Sequence, residues 1–95
     1  MAIFTMFEVH SGSEEVVALL EKFDPHAARI AGENGGISHT LVRTDHGIMV
    51  VNVWETEDGM RNAAEEIGDL AREAGLEQVG WRQYEVLEYG TPGDY

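Results

Sequence analysis

The chain alternates between short apolar runs and longer stretches in which apolar residues recur every three or four positions. The runs are rich in β-branched and aromatic residues, which is typical of strands. They cover residues 2–10, 37–44, 47–55 and 79–89. A segment with helical spacing lies after the first run and another after the third. The pattern therefore predicts the element order β-α-β-β-α-β.

The first predicted helix follows "SGS" at residues 11–13. Ser11 or Ser13 can cap it, and Ser11 with Glu14 fits a capping box. Its apolar stripe consists of Val16, Leu20, Phe23, Ala27 and Ile30.

Pro25 interrupts that stripe, and proline removes a helical donor and clashes with the preceding turn. We therefore expect a kink or a break, with Asp24 capping the second piece. The glycine-rich "GENGG", residues 32–36, should end the segment.

The second predicted helix covers residues 57–74, with Thr56 as its cap and Gly75 as a suitable residue just after its end. Its apolar stripe consists of Met60, Ala63, Ala64, Ile67, Leu70, Ala71 and Ala74. Right-handed crossovers around one sheet turn this order into an α+β ferredoxin-like plait with a four-stranded antiparallel sheet. We expect residues 1–95 to form a single domain with a tail at 90–95.

Both faces of the predicted sheet are apolar, although the two helices can cover only one. In the third strand, Ile48, Val50 and Trp54 point one way and Met49, Val51 and Val53 the other. A face exposed to water would alternate apolar with polar residues. A second copy of the chain would cover it, so we expect a homodimer.

Charge and composition exclude several classes of function. With 18 acidic and 6 basic residues the net charge is −12, which repels phosphate backbones and makes nucleic acid an unexpected partner. The chain has no cysteine, which excludes disulfides, thiolate zinc sites and a cysteine nucleophile. No apolar stretch approaches the roughly 20 residues of a membrane helix, and no signal peptide is visible, so a cytoplasmic location is expected.

The hairpin between the second and third strands brings together the side chains that are candidates for a functional site. If the loop has an even number of residues, as with Asp45-His46, His39 faces Asn52 across the pair, Leu41 faces Val50 and Ile37 faces Trp54. His39, Asn52 and Trp54 would then share one otherwise apolar face, which is typical of a small-ligand pocket. A purely structural interpretation stays open for each: Asn52 bonds only His39, and Trp54 is a core residue with its N–H satisfied.

The remaining candidates carry less information. No two histidines have metal-ligand spacing, so no metal is expected. His46 belongs to the turn, His10 ends a strand and His26 lies beside the proline, so either of the last two could line a pocket mouth. On the last strand, Trp81, Arg82 and Tyr84 fit either a pocket or a dimer interface.

Residues 38–59, "SHTLVRTDHGIMVVNVWETEDG", form a hairpin whose third strand ends in tryptophan before an acidic helix start. With the final "YEVLEY", this segment resembles the dimeric α+β barrel proteins, specifically the antibiotic biosynthesis monooxygenase-like group. That group includes cofactor-free oxygenases of aromatic polyketides, haem-degrading enzymes, isomerases and cyclases. In the oxygenases, Asn and Trp on the third strand line a cavity, which implies Asn52 and Trp54 here. The haem-degrading branch has a ligand histidine in the second helix; residues 57–74 contain none, so no haem or other cofactor is expected.

Two hypotheses follow. One is a cofactor-independent monooxygenase-like enzyme for a small aromatic or polyketide-like substrate, with His39 as the base and Asn52 and the Trp54 N–H stabilising oxyanion charge. The other is a non-catalytic dimeric module that binds a small apolar ligand. An isomerase or cyclase of the same fold is a further form of the first hypothesis.

Overall fold

The computed structural model describes residues 1–10, 14–90 and 92–93. Its elements follow the predicted order: β1 (Ile3–Val9), α1 (Glu14–Glu33), β2 (Gly36–Thr44), β3 (Gly47–Trp54), α2 (Glu57–Glu73) and β4 (Val79–Glu85). The strands form one sheet in the order β2-β3-β1-β4, with antiparallel neighbours throughout. This is the predicted ferredoxin-like α+β fold.

The last strand is shorter than predicted. It ends at Glu85 because β4 is an edge strand whose only neighbour, β1, begins at Ile3, the partner of Glu85. One further backbone bond, from the Val86 N–H to the Ala2 carbonyl, closes this end of the sheet. Within the described part of the chain, the predicted continuation through residue 89 pairs with no strand.

Both helices cover one face of the sheet. On that face β1 and β3 are buried through Ile3, Thr5, Phe7, Val9, Ile48, Val50, Asn52 and Trp54. On the opposite face the alternate residues of β3, Met49, Val51 and Val53, are only half-buried in one chain. The strand pattern therefore predicted correctly that the second face is apolar.

The core consists of two clusters that Phe23 joins. One surrounds Trp54 and contains Ile30 and Met60, and the other surrounds Val50. Phe23 is half-buried in α1 and packs against both clusters. Its ring therefore lies at the centre of the helix–sheet interface.

Helix α1 runs unbroken through Pro25, so the predicted break is wrong. Asp24 lies inside the helix and caps no second piece. The buried residues Leu20 and Ala27 anchor the turns on either side of the proline to the sheet, while Pro25 itself is exposed. Packing on both sides thus outweighs the missing N–H donor. The predicted caps at Ser11 and Ser13 lie outside the described residues.

Helix α2 has at its two ends the capping residues that the sequence predicts. The Thr56 hydroxyl accepts a hydrogen bond from the Gly59 N–H at 3.1 Å, which is the predicted cap. Gly75 has a φ of 82°, the left-handed conformation that favours glycine after a helix. Among the described residues, no helix has the length and apolar character needed to cross a membrane.

Candidate functional site

The β2–β3 hairpin places His39 directly opposite Asn52. Thr44 pairs with Gly47, so the loop has the two residues that the even-loop prediction assumed, and Leu41 pairs with Val50 as expected. The predicted pairing of Ile37 with Trp54 is wrong. A register shift between Gly36 and Ser38 gives the Trp54 position to Gly36 instead.

Three polar side chains form a continuous chain of contacts at this point of the sheet. His39 Nδ1 lies 2.6 Å from Asn52 Oδ1, and His39 Nε2 lies 2.6 Å from Asp24 Oδ1. The Asp24 side chain reaches down from α1, the His39 ring comes from edge strand β2, and Asn52 comes from the inner strand β3. The exposed fractions are 30% for the Asp24 side chain, 21% for that of His39 and 6% for residue Asn52.

The hydrogen-bonding groups of Asp24 and Asn52 determine which form of the His39 ring fits between them. A carboxylate oxygen and an amide oxygen are both acceptors, so the ring must supply both hydrogens. Only the protonated imidazole carries a hydrogen on each nitrogen. With Asn52 Oδ1 facing the ring, both contacts are hydrogen bonds only when each ring nitrogen carries a hydrogen, and a ring in that form makes a neutral pair with the Asp24 carboxylate.

The amide nitrogen of Asn52 takes no part in these contacts. Its oxygen faces His39, and Nδ2 has no hydrogen-bond partner among the described residues. Every fully buried side-chain nitrogen or oxygen in the described part of the chain does have a partner, so Nδ2 must be accessible. Asn52 thus offers an N–H₂ donor to whatever occupies the space beside it.

That space is an apolar cavity between the helices and the sheet. It has a volume of about 30 Å³, which is room for one or two water molecules. Its polar lining residues are Asp24, His39, Asn52 and Gln78, and all the others are apolar. Asp24 is the one carboxylate in this wall. A flat aromatic molecule would enter only if lining side chains moved aside.

Trp54 lies on the same face of the sheet as Asn52, but it does not border this cavity. Trp54 borders an adjoining cavity of about 20 Å³, which shares Asn52 and Gln78 with the first. Its Nε1–H donates to the Thr5 hydroxyl at 2.9 Å, and both residues are buried. The indole donor is thereby committed within the protein, as the structural interpretation of Trp54 required.

The other candidate residues lie away from the His39–Asn52 pair. His10 contacts Glu8 at the exposed end of β1, His46 lies in the hairpin turn, and His26 is exposed on α1. Among the described residues, no three side chains come together in a way that would hold a metal ion.

The two aromatic residues of β4 lie on opposite faces of the sheet. Trp81 stacks on Phe7, with 6.2 Å between the ring centroids, and borders the second cavity. Tyr84 contacts Phe4 on the face that the helices leave open. Trp81 therefore belongs to the pocket side and Tyr84 to the open side.

Asp24 is the site residue that the sequence prediction missed. Its place before Pro25 predicts a helix cap instead. A signal was nevertheless present, since Leu20, Asp24, Ala27 and Ala31 follow one another at steps of four, three and four. A carboxylate in the buried stripe of a helix requires a partner.

Comparison with known proteins bears on the fold. No protein-family model and no curated protein matches the chain. Among solved structures, a candidate antibiotic biosynthesis monooxygenase from Chloroflexus aurantiacus J-10-fl superposes with a TM-score of 0.72 at 10% identity, covering 98% of this chain and 100% of that one. SnoaB, a cofactor-independent oxygenase from Streptomyces nogalater, gives a TM-score of 0.62 at 22% identity, covering 98% and 96%.

The chain has the antibiotic biosynthesis monooxygenase-like fold. The resemblance found in the sequence is therefore confirmed at the level of the fold. A haem-degrading protein from Mycobacterium tuberculosis shares the antibiotic biosynthesis monooxygenase-like fold, with a TM-score of 0.68 at 16% identity over 96% of this chain and 100% of that one. One fold thus carries different chemistries, so the activity must be argued from the site residues.

Proposed function

We propose that the protein is a cofactor-independent oxygenase for a small, neutral, phenolic or enolisable aromatic substrate bound between the sheet and the helices. The observation that carries this proposal is the Asp24–His39–Asn52 chain, which ends in an amide N–H₂ at a cavity wall. Likeness of fold to SnoaB supports it.

In the proposed reaction, neutral His39 removes a proton from the substrate. The transfer is direct or runs through one water, for which the cavity has room. The product of this step is an imidazolium beside an enolate. The site suits that state, because the imidazolium finds Asp24 Oδ1 and Asn52 Oδ1 on its two sides, while Asn52 Nδ2 is left to donate to the enolate oxygen. Complementarity to the charged state lowers the barrier to forming it.

Molecular oxygen is the second substrate. The enolate carbon passes its electrons to dioxygen and forms a C–O bond, and the resulting peroxide takes a proton. Loss of water then leaves a carbonyl where a CH₂ group stood, so that RCH₂ and O₂ become RC=O and H₂O. In the absence of oxygen transfer, return of the proton to another carbon would make the same site an isomerase.

The residues that line the cavity limit which substrates can bind. Asp24 supplies a negative charge at the site, and the whole chain carries −12, so an anionic substrate is repelled. All but four lining residues are apolar, which favours a ring system with few polar groups. The present volume is smaller than one ring, and displacement of Phe23, which lines the cavity and packs against both core clusters, would enlarge it.

We test this proposal with 1,8-dihydroxyanthrone, a neutral phenolic molecule with an enolisable CH₂ group. Oxygen consumption and quinone absorbance are followed together, with no added metal or flavin, against the rate in buffer alone. We expect one quinone per dioxygen, catalysed by the unaltered chain and lost in His39→Gln. A rate equal to that in buffer would contradict the oxygenase proposal; quenching of the tryptophan fluorescence by the same compound would then favour the ligand-binding module.

The proposed assembly is a homodimer that buries the open face of the sheet. Half-buried apolar residues cover the centre of that face in one chain, among them Met6, Met49, Val51 and Val53. We expect sedimentation at micromolar concentration to give twice the mass of one chain.

Substitution of Val51 tests this interface. Val51→Asp places an unpaired carboxylate in the contact, at a cost on the order of several kcal/mol, and should yield folded monomers. Asn62→Asp adds the same charge on an exposed position of α2 and should leave the dimer intact. A monomeric unaltered chain would refute the interface.

A further inference from the structure

Asp24 is the one charged side chain that pairs with His39 among the described residues, and it reaches the ring from a different element. The two side chains are 15 residues apart in sequence and join α1 to the edge strand β2. Asp24 touches only the far side of the ring, at Nε2, whereas Asn52 touches Nδ1. The position of Asp24 is thus that of a group that acts through His39.

We propose that Asp24 is a positioning residue that keeps a hydrogen on His39 Nε2, so that Nδ1, the nitrogen facing Asn52, is the atom that gains and loses the proton. This inference rests on the proposed function for its catalytic consequence. A carboxylate accepts and does not donate, so the contact is a hydrogen bond only if Nε2 bears the hydrogen. The neutral ring then has its lone pair on Nδ1.

Asn52 completes this assignment. When Nδ1 carries no hydrogen, Asn52 Oδ1 has nothing to accept from it, so the amide moves off the ring and the lone pair is open to the substrate or to one water. When Nδ1 is protonated, Oδ1 accepts from it, as in the structure, and Nδ2 stays free of the ring for the enolate oxygen. Proton uptake by His39 thereby holds the amide with its N–H₂ available to the oxyanion. Without Asp24, Asn52 Oδ1 would attract the single hydrogen of the neutral ring to Nδ1, and the basic lone pair would then lie on Nε2, away from Asn52.

The Asp24 carboxylate has a second effect on the same step. The proton transfer creates a cation on His39, and the carboxylate 2.6 Å away offsets that charge in a partly buried setting. The aspartate orients the ring and balances its charge without exchanging a proton itself.

The test compares the unaltered chain with Asp24→Ala and Asp24→Glu. Glu21→Ala is the matched control, because it removes an exposed carboxylate from the same helix. Alanine favours helix, so loss of α1 is not expected in either alanine variant; circular dichroism checks this. The first readout is nitrogen-15 NMR of the His39 ring, assigned by the absence of its signals in His39→Gln.

We expect the neutral His39 ring to carry its hydrogen on Nε2 in the unaltered chain and in Glu21→Ala. In Asp24→Ala the hydrogen should shift toward Nδ1, and Asp24→Glu should restore the original tautomer at least in part. An unchanged distribution of the hydrogen in Asp24→Ala would overturn the proposal, whether or not the chain oxidises any substrate.

The second readout is turnover of 1,8-dihydroxyanthrone. We expect kcat to fall at least about tenfold in Asp24→Ala with little change in KM for this neutral substrate, since the carboxylate bonds the His39 ring and acts on proton transfer through it. Glu21→Ala should match the unaltered chain. A rise in KM alone would contradict a role through His39. If the unaltered chain shows no turnover, the oxygenase proposal fails while the NMR measurement still decides the role of Asp24.

Discussion

Two polar pairs lie on the same buried face of the sheet, and they differ in what surrounds them. Thr5 and Trp54 are 0% and 2% exposed, and one hydrogen bond between them satisfies the indole N–H. His39 and Asn52 are also joined by one hydrogen bond, but their pair continues to a carboxylate on one side and to a cavity on the other. The first pair is closed and the second is open.

The difference shows that polarity on a buried strand face does not by itself indicate a binding site. Both pairs meet the rule that buried polar groups are hydrogen-bonded. The closed pair leaves the indole donor no capacity for a ligand. The open pair leaves an amide N–H₂ without a protein partner beside an apolar space, and this surplus distinguishes a candidate site from part of the core.

The largest expected effect comes from the closed pair. Trp54→Ala should lower the free energy of unfolding by about 3–5 kcal/mol, because it empties the centre of one core cluster. Urea denaturation measures the loss. A cost below about 1 kcal/mol would mean that Trp54 is not the core residue described here.

Removing only the hydroxyl of the closed pair should have a smaller effect. Thr5→Val keeps the shape of the side chain but leaves the buried Trp54 N–H without its acceptor, and should cost about 1–3 kcal/mol. Trp54→Phe removes the donor instead. In the double variant the unsatisfied donor is gone, so its loss of unfolding free energy should be smaller than the sum of the two single losses in a double-mutant cycle. Additive losses would show that the hydrogen bond contributes little.

The open pair should behave in the opposite way. Asn52→Leu removes buried polarity that folding does not need, so its thermal midpoint should stay the same or rise, corresponding to at most about 1 kcal/mol. The same change should abolish oxidation of 1,8-dihydroxyanthrone, because the enolate loses its donor. A clear loss of stability with turnover intact would make the open pair as structural as the closed one.

The smallest effect on stability is expected at His39, whose side chain is 21% exposed. His39→Gln should change the free energy of unfolding by about 0.5 kcal/mol or less. In the unaltered chain, turnover should rise with pH as the base loses its proton, and any turnover left in the glutamine variant should lack this rise. An identical pH profile in the two chains would exclude His39 as the base.

The sequence predicted the open pair more completely than the closed one, for a physical reason. A two-residue turn fixes the register of a hairpin, so the pairing of His39 with Asn52 followed from counting residues. The Trp54–Thr5 contact joins two strands separated by a helix and a further strand, and no local pattern specifies their register. The register shift between Gly36 and Ser38 could not be predicted either, because the apolar alternation around Ile37 does not indicate an extra residue.

The role of Asp24 was not predicted because a local sequence preference indicated a helix cap instead. An acidic residue before proline is typical of a helix start, and this preference concealed its place in the buried stripe. Packing of α1 against the sheet outweighed the helix-breaking tendency of Pro25 and kept the carboxylate above His39. Tertiary packing decided this position.

The two-residue hairpin turn also bears on the time at which each pair forms during folding. His39 and Asn52 are 13 residues apart, whereas Thr5 and Trp54 are 49 apart. Hairpins close in about 1–10 μs, and contacts between distant segments form later because a longer loop must first be ordered. The hairpin half of the candidate site should therefore exist in a folding chain before β1 joins β3 and before the core around Trp54 closes.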